Sequence, residues 1–186
     1  ENVNRLLHDD IFKKAIFNNF WMLGVGMVGI FAIGLLVAHA MQGGGRTAAM
    51  LRSIVLFPQV ISLVAVAIIW KFLYHPTIGL VPPALKAVGA GDWRQTILSN
   101  STTALPALTI AFLWYALGFY ILLFSTGLRA IPEEVVEAAE LDGSHGWHRF
   151  WRITWPMLWT TKRTAAIYVV INVMNVFALA YLMTPD

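Results

Sequence analysis

Long uncharged tracts separated by short polar segments dominate the chain. No acidic or basic side chain lies between Lys14 and Arg46, Arg52 and Lys71, Arg94 and Arg129, or Arg163 and Asp186. Each gap holds about the 18 or more residues a helix needs to cross ~30 Å of hydrocarbon. The pattern predicts four membrane spans, over residues 20–41, 53–73, 104–124 and 164–183. Strands of a β-barrel would alternate over ~10 residues, whereas these tracts are continuously apolar. Their number also excludes a lone signal peptide. The expected fold class is all-α, a polytopic transmembrane helix bundle.

Ahead of the first span, residues 1–19 place Leu7, Ile11 and Ala15 on one side and Arg5, Asp9, Lys13 and Lys14 on the other. That predicts a short amphipathic helix in the membrane interface. Gly24, Gly26, Gly29 and Gly34 in the first span permit close helix approach. Pro58 and Pro106 are expected to break the backbone ladder of the second and third spans. Glu1 opens the sequence and Asp186 directly follows an apolar run. Further helices are expected beyond both ends.

Composition narrows the chemistry. The chain is 58% hydrophobic and 12% charged, which excludes an ordinary water-soluble domain. It has no cysteine, so disulfide, thiol and cysteine–zinc chemistry are excluded. The net charge of +3, with cations clustered at helix ends, fits membrane orientation and not nucleic-acid binding. Residues 42–52 and 125–163 share one side of the membrane and carry Arg46, Arg52, Arg129, Arg149, Arg152, Lys162 and Arg163. The other side has Arg5, Lys13, Lys14, Lys71, Lys86 and Arg94. This small excess favours a cytoplasmic position for the first set.

The segment between the third and fourth predicted spans is unlike the rest. Pro132, Glu133 and Glu134 suit the start of a helix, and Gly143 suits a left-handed stop. Glu137-Ala138-Ala139 is followed after three residues by Gly143, and after nine more by Ile153-Thr154-Trp155-Pro156. A turn through Ser144-His145-Gly146 and a second short helix over 147–153 are expected. An isolated acidic run is ordinarily just a solvated connection, but this spacing resembles the EAA loop of the permease subunits of ATP-binding-cassette importers. The flanking Gly127-Leu128-Arg129-Ala130-Ile131-Pro132, Trp114, Val3-Asn4-Arg5-Leu6-Leu7, the tract 52–59 with Phe57-Pro58, and Leu182-Met183-Thr184 are similar to the maltose/glycerol-phosphate (carbohydrate) branch. Trp155 stands where that family usually has leucine, and Pro185-Asp186 where glycines often follow.

The resemblance implies a type I ABC importer permease fold in a prokaryotic inner membrane, with residues 125–163 as the cytoplasmic coupling loop. It implies Glu137, Ala138, Ala139, Gly143, Ile153 and Pro156 as ATPase-coupling residues, with Glu137 facing a cation. The implied partners are a second homologous permease, two ATPase subunits, an extracytoplasmic solute-binding protein and membrane lipid. This chain then carries no cofactor and is not an enzyme, ATP and magnesium being bound by the ATPase. Gly43-Gly44-Gly45-Arg46-Thr47 is not a phosphate loop, because Ala40 and Arg46 replace the glycine and lysine that loop requires.

Polar groups within spans tend to face an interior or a cavity. Tyr168, Asn172 and Asn175 form a stripe on the last span, and the third offers Trp114, Tyr115 and Phe119. Aromatic faces and amides together suit a sugar, and the resemblance places the sugar site on these helices. The bland alternative is asparagines bonding neighbouring helices. His145, His148 and Asp142 lack a committed metal-ligand spacing, so no metal site is assigned. Three functions remain: a sugar importer permease, a permease for glycerol phosphate, a polyamine or an amino acid, and a membrane scaffold or membrane-embedded enzyme.

Overall fold

The computed structural model describes residues 8–43, 45–89, 97–100 and 102–184. The residues Val3–Leu7 and Pro185–Asp186 used in the resemblance, together with Gly44, lie outside the described residues. The described elements are helical throughout.

Helix α1 (Asp10–Ala40) begins where the Asp9 side chain accepts a hydrogen bond from the Ile11 amide at 2.8 Å. Nothing interrupts it for 31 residues, so the described part of the expected interfacial helix is continuous with the helix of the first span. A 3₁₀ turn (Met41–Gly43) ends it. Helix α2 (Gly45–Val60) and helix α3 (Leu63–Leu73) replace the single straight second span. Their axes differ by 103°, making a broken or re-entrant span. Pro58 removes one ladder donor near the end of α2, and the Ser62 hydroxyl caps α3 by accepting from the Ala65 amide at 3.3 Å.

After the short α4 (Val81–Ala87), helix α5 (Ala104–Arg129) crosses without a break. Pro106 falls in its first turn, where a missing amide costs nothing, which corrects the expected disruption. Helix α9 (Trp159–Met174) and helix α10 (Phe177–Met183) form the last span, bent by 44°. Asn175 ends α9, its backbone amide and its side-chain amide both donating to the Ile171 carbonyl, at 3.1 and 2.8 Å. Among the described residues, α1 and α5 each suffice to cross a membrane, and the two bent pairs raise the number of spans to as many as four.

Helix α5 is the centre of the bundle, with Ala111, Tyr120 and Phe124 fully buried. Helix α1 packs along it. A Cβ on Gly29 would lie 3.0 Å from Leu113, and one on Gly34 3.2 Å from Phe124, whereas Gly24 faces open space. Helix α2 crosses α5 even more closely. A Cβ on Gly118 would lie 2.6 Å from the Val55 carbonyl oxygen, so only glycine permits that crossing.

Candidate functional site

The segment between α5 and α9 projects as two limbs. The outgoing limb is α6 (Glu133–Leu141), begun by Pro132 as its cap, with Glu133 and Glu134 in the first turn against the positive helix end. It closes on a paired motif. Gly143 has φ +76° and its amide donates to the Glu140 carbonyl at 3.1 Å, while the Ser144 amide reaches back to Ala139 at 2.9 Å. A left-handed residue at this position satisfies carbonyls that the helix end would otherwise orphan. The expected turn is therefore present, and Gly146, with φ +53°, completes it.

The returning limb differs from the single helix expected over 147–153. One α turn, α7 (Gly146–Arg149), leads into a π-helical stretch (Phe150–Thr154) and a further short turn, α8 (Trp155–Met157). The cause lies at Pro156, whose ring would clash with the carbonyl four residues back in a regular α-helix. Widening the preceding turn, with the Trp155 amide bonded to the Phe150 carbonyl, moves the chain past that conflict.

The six expected coupling residues are split between the limbs. Glu137, Ala138, Gly143 and Pro156 are exposed, Ala139 is buried and Ile153 is half-buried. Ala139 is buried apart from the core of the bundle. Glu140 does not share the free position of Glu137, because it pairs with the Arg149 guanidinium and ties the limbs together. Sequence patterning did not reveal that pair, since the two residues stand nine positions apart across a turn. Leu141 stands 91% exposed at the tip, an apolar side chain with no contact to cover it.

Inside the bundle, some of the expected pathway residues converge. The rings of Phe119 and Tyr168 meet edge to face at 5.2 Å. The Asn172 amide donates to the Tyr120 hydroxyl at 3.0 Å, so Tyr120, which the sequence did not single out, links α5 to α9. Phe119, Tyr168 and Asn172 remain exposed around it. The others lie elsewhere. Asn175 serves its own helix end, and Trp114 turns toward Trp70 on α3, with ring centroids 5.8 Å apart. Tyr115 is engaged through its backbone, its carbonyl accepting from the Gln59 side chain at 2.5 Å. Gln59 had one signal in the sequence, a lone amide directly after Pro58 in an apolar tract.

Comparison with known proteins fits this architecture. The chain is 32% identical over 192 residues to the alpha-glucoside transport system permease protein AglF of Rhizobium meliloti (strain 1021), covering 98% of this chain and 55% of that one. It is 31% identical over 196 residues to the diacetylchitobiose uptake system permease protein NgcF of Streptomyces coelicolor (strain ATCC BAA-471 / A3(2) / M145), covering 100% and 56%. The chain therefore spans a little over half the length of these relatives. Among solved structures, a bacterial ABC transporter involved in the import of the acidic polysaccharide alginate superposes with a TM-score of 0.84 at 22% identity. That match covers 99% of this chain and 65% of the other, and it shows the same fold. Residues 30–186 match the family of binding-protein-dependent transport system inner membrane components, and the chain belongs to that family.

Proposed function

We propose that this chain is the pathway-forming part of a permease subunit of an ATP-driven sugar or oligosaccharide importer in a prokaryotic inner membrane. The observation that carries this reading is the loop. Its exposed acidic helix, stopped at a left-handed Gly143 and returned through Pro156, presents Glu137 and Ala138 outward on a stiff support. Such a projection suits insertion into a cleft on an ATPase, and the chain itself supplies no nucleotide site. Two ATPases closing on ATP would draw the loops of this permease and a homologous second permease together, rocking the spans between inward-facing and outward-facing states. An extracytoplasmic binding protein would deliver the cargo. The names of the relatives, for alpha-glucosides and diacetylchitobiose, support a glycoside as cargo. The uncharged Phe119–Tyr168–Asn172 face is consistent with it and poorly suited to a phosphate-bearing solute.

Cysteine introduced at Ser144 in the cysteine-free chain tests loop and orientation together. It should label only with reagents that reach the cytoplasm, and bound ATPase should protect it. Labelling from outside would overturn the orientation, and labelling indifferent to the ATPase would remove the loop from its socket. Glu137→Lys should weaken docking by roughly 2–5 kcal/mol if its carboxylate meets a buried cation. Stimulated ATP hydrolysis and uptake would fall together while the spans remain inserted.

A further inference from the structure

Four of the chain's eight tryptophans fall in the returning limb and the start of the last span: Trp147, Trp151, Trp155 and Trp159. They recur every fourth residue. In an α-helix of 3.6 residues per turn, such a stripe drifts steadily around the axis. The π-helical stretch at Phe150–Thr154 takes more residues per turn and so turns the drift back. The first three rings accordingly form a ladder, with centroids 5.5 Å apart for Trp147–Trp151 and 5.2 Å for Trp151–Trp155. The Lys162 ammonium lies 4.0 Å from the Trp155 ring and 5.9 Å from that of Trp159, bridging the ladder to the last span.

Trp155 packs partly against the core, and the rings on either side of it are uncovered. Trp147 is 73% exposed and Trp159 66%, and Trp151 and Met157 are also open. Its charge is one-sided. Residues 133–142 hold five carboxylates and no cation, whereas residues 143–163 hold Arg149, Arg152, Lys162 and Arg163 and no carboxylate. Arg149 is taken by Glu140, and no carboxylate lies against Arg152, Lys162 or Arg163 among the described residues. An apolar, indole-rich surface with unmatched cations, continuous with a membrane span, complements the headgroup layer of an anionic leaflet.

We propose that the returning limb is a lipid-binding strip, seated in the membrane interface and engaging anionic phospholipid headgroups through Arg152, Lys162 and Arg163 between its tryptophans. The loop then has two surfaces of opposite chemistry, an acidic limb free to meet a protein and a cationic aromatic limb held on the bilayer. Anchoring the second fixes the height at which the first is presented.

The test uses the full-length permease in its assembled transporter, reconstituted into nanodiscs of phosphatidylcholine with or without phosphatidylglycerol. Brominated phosphatidylglycerol should quench tryptophan emission more strongly than brominated phosphatidylcholine. Trp147→Phe combined with Trp159→Phe, which removes the two most exposed of the four indoles, should remove most of that excess. Arg152→Gln with Lys162→Gln retains every indole and should abolish the preference for phosphatidylglycerol while leaving general quenching in place. Equal quenching by the two lipids in the unmodified protein would overturn the proposal. So would an excess untouched by either double variant, or a ladder that lipid quenches only when the ATPase is removed, since the ATPase would then be its occupant.

Discussion

The loop at residues 130–158 and the crossing of α2, α5 and α9 inside the bundle are held by different means. In the loop, the backbone carries the shape: a left-handed Gly143, a second at Gly146, and a widened turn before Pro156. Only one exposed ion pair, Glu140–Arg149, joins its limbs. At the crossing, helices from distant parts of the sequence meet at almost no separation. Gly118 lies against the Val55 carbonyl, Gln59 reaches Tyr115, and Asn172 reaches Tyr120. Local shape can therefore change in the loop without disturbing the bundle, whereas the crossing tolerates no added atom.

The sharpest way to break this comparison is Gly118→Ala. A methyl group there would sit 2.6 Å from a backbone oxygen and 2.9 Å from Gln59 Cγ, and the oxygen cannot rotate away. Forced separation of α2 and α5 should cost roughly 1–3 kcal/mol. The protein should lose stability in detergent, read as a lowered midpoint in thermal unfolding. An unchanged midpoint would mean that α2 is free to move against α5 and that the crossing is not a fixed joint.

The same contrast explains what the sequence disclosed. The four apolar tracts, the acidic helix, the stop at Gly143 and the family resemblance were legible because each is written in adjacent residues: uncharged length, cap chemistry, glycine before a turn. The two unbroken spans matched, since nothing in α1 or α5 competes with the helix. The 103° break was half-legible. Pro58 announced a disturbance, but Ser62 as a new cap was needed to turn a disturbed helix into two. Pro106 misled because its effect depends on its distance from a helix start that the sequence does not mark. The aromatic and amide residues of the spans were recognised by type, but their partners are more than forty residues away. Trp114 could not announce Trp70, nor could Asn172 announce Tyr120.

Substitution at Gly143 should show the loop's independence from the bundle. Valine resists positive φ, at a cost of about 1–3 kcal/mol, while asparagine tolerates that region. Gly143→Val should reduce co-purification of the ATPase well below the level of Gly143→Asn. Thermal unfolding of the spans should match the unmodified protein in both, because a Cβ at Gly143 meets nothing within 4 Å. Equal loss of ATPase in the two variants would transfer the role of Gly143 from backbone geometry to close approach by the partner.

The smallest effect is expected at the Tyr120–Asn172 hydrogen bond, and it discriminates between two surroundings for the exposed side of that pair. Tyr120 is fully buried, whereas Asn172 is open. Replacing Asn172 with leucine strands a buried hydroxyl, and the penalty for an unmade bond is about 1–3 kcal/mol. Tyr120→Phe instead frees an exposed amide, whose fate depends on what lies outside. Facing a water-filled route, the amide recovers its bonds from water and the loss stays near or below the ~0.6 kcal/mol average for hydrogen bonds between membrane helices. Facing lipid, it has no such substitute, and Tyr120→Phe should cost as much as Asn172→Leu. Thermal unfolding of the two variants side by side separates the cases. A small loss for Tyr120→Phe, accompanied by altered uptake of a glycoside, would support the Phe119–Tyr168–Asn172 face as part of the cargo route. Equal losses with uptake following stability would make this pair an interhelical clasp, and the cargo would have to be sought on another face of the bundle.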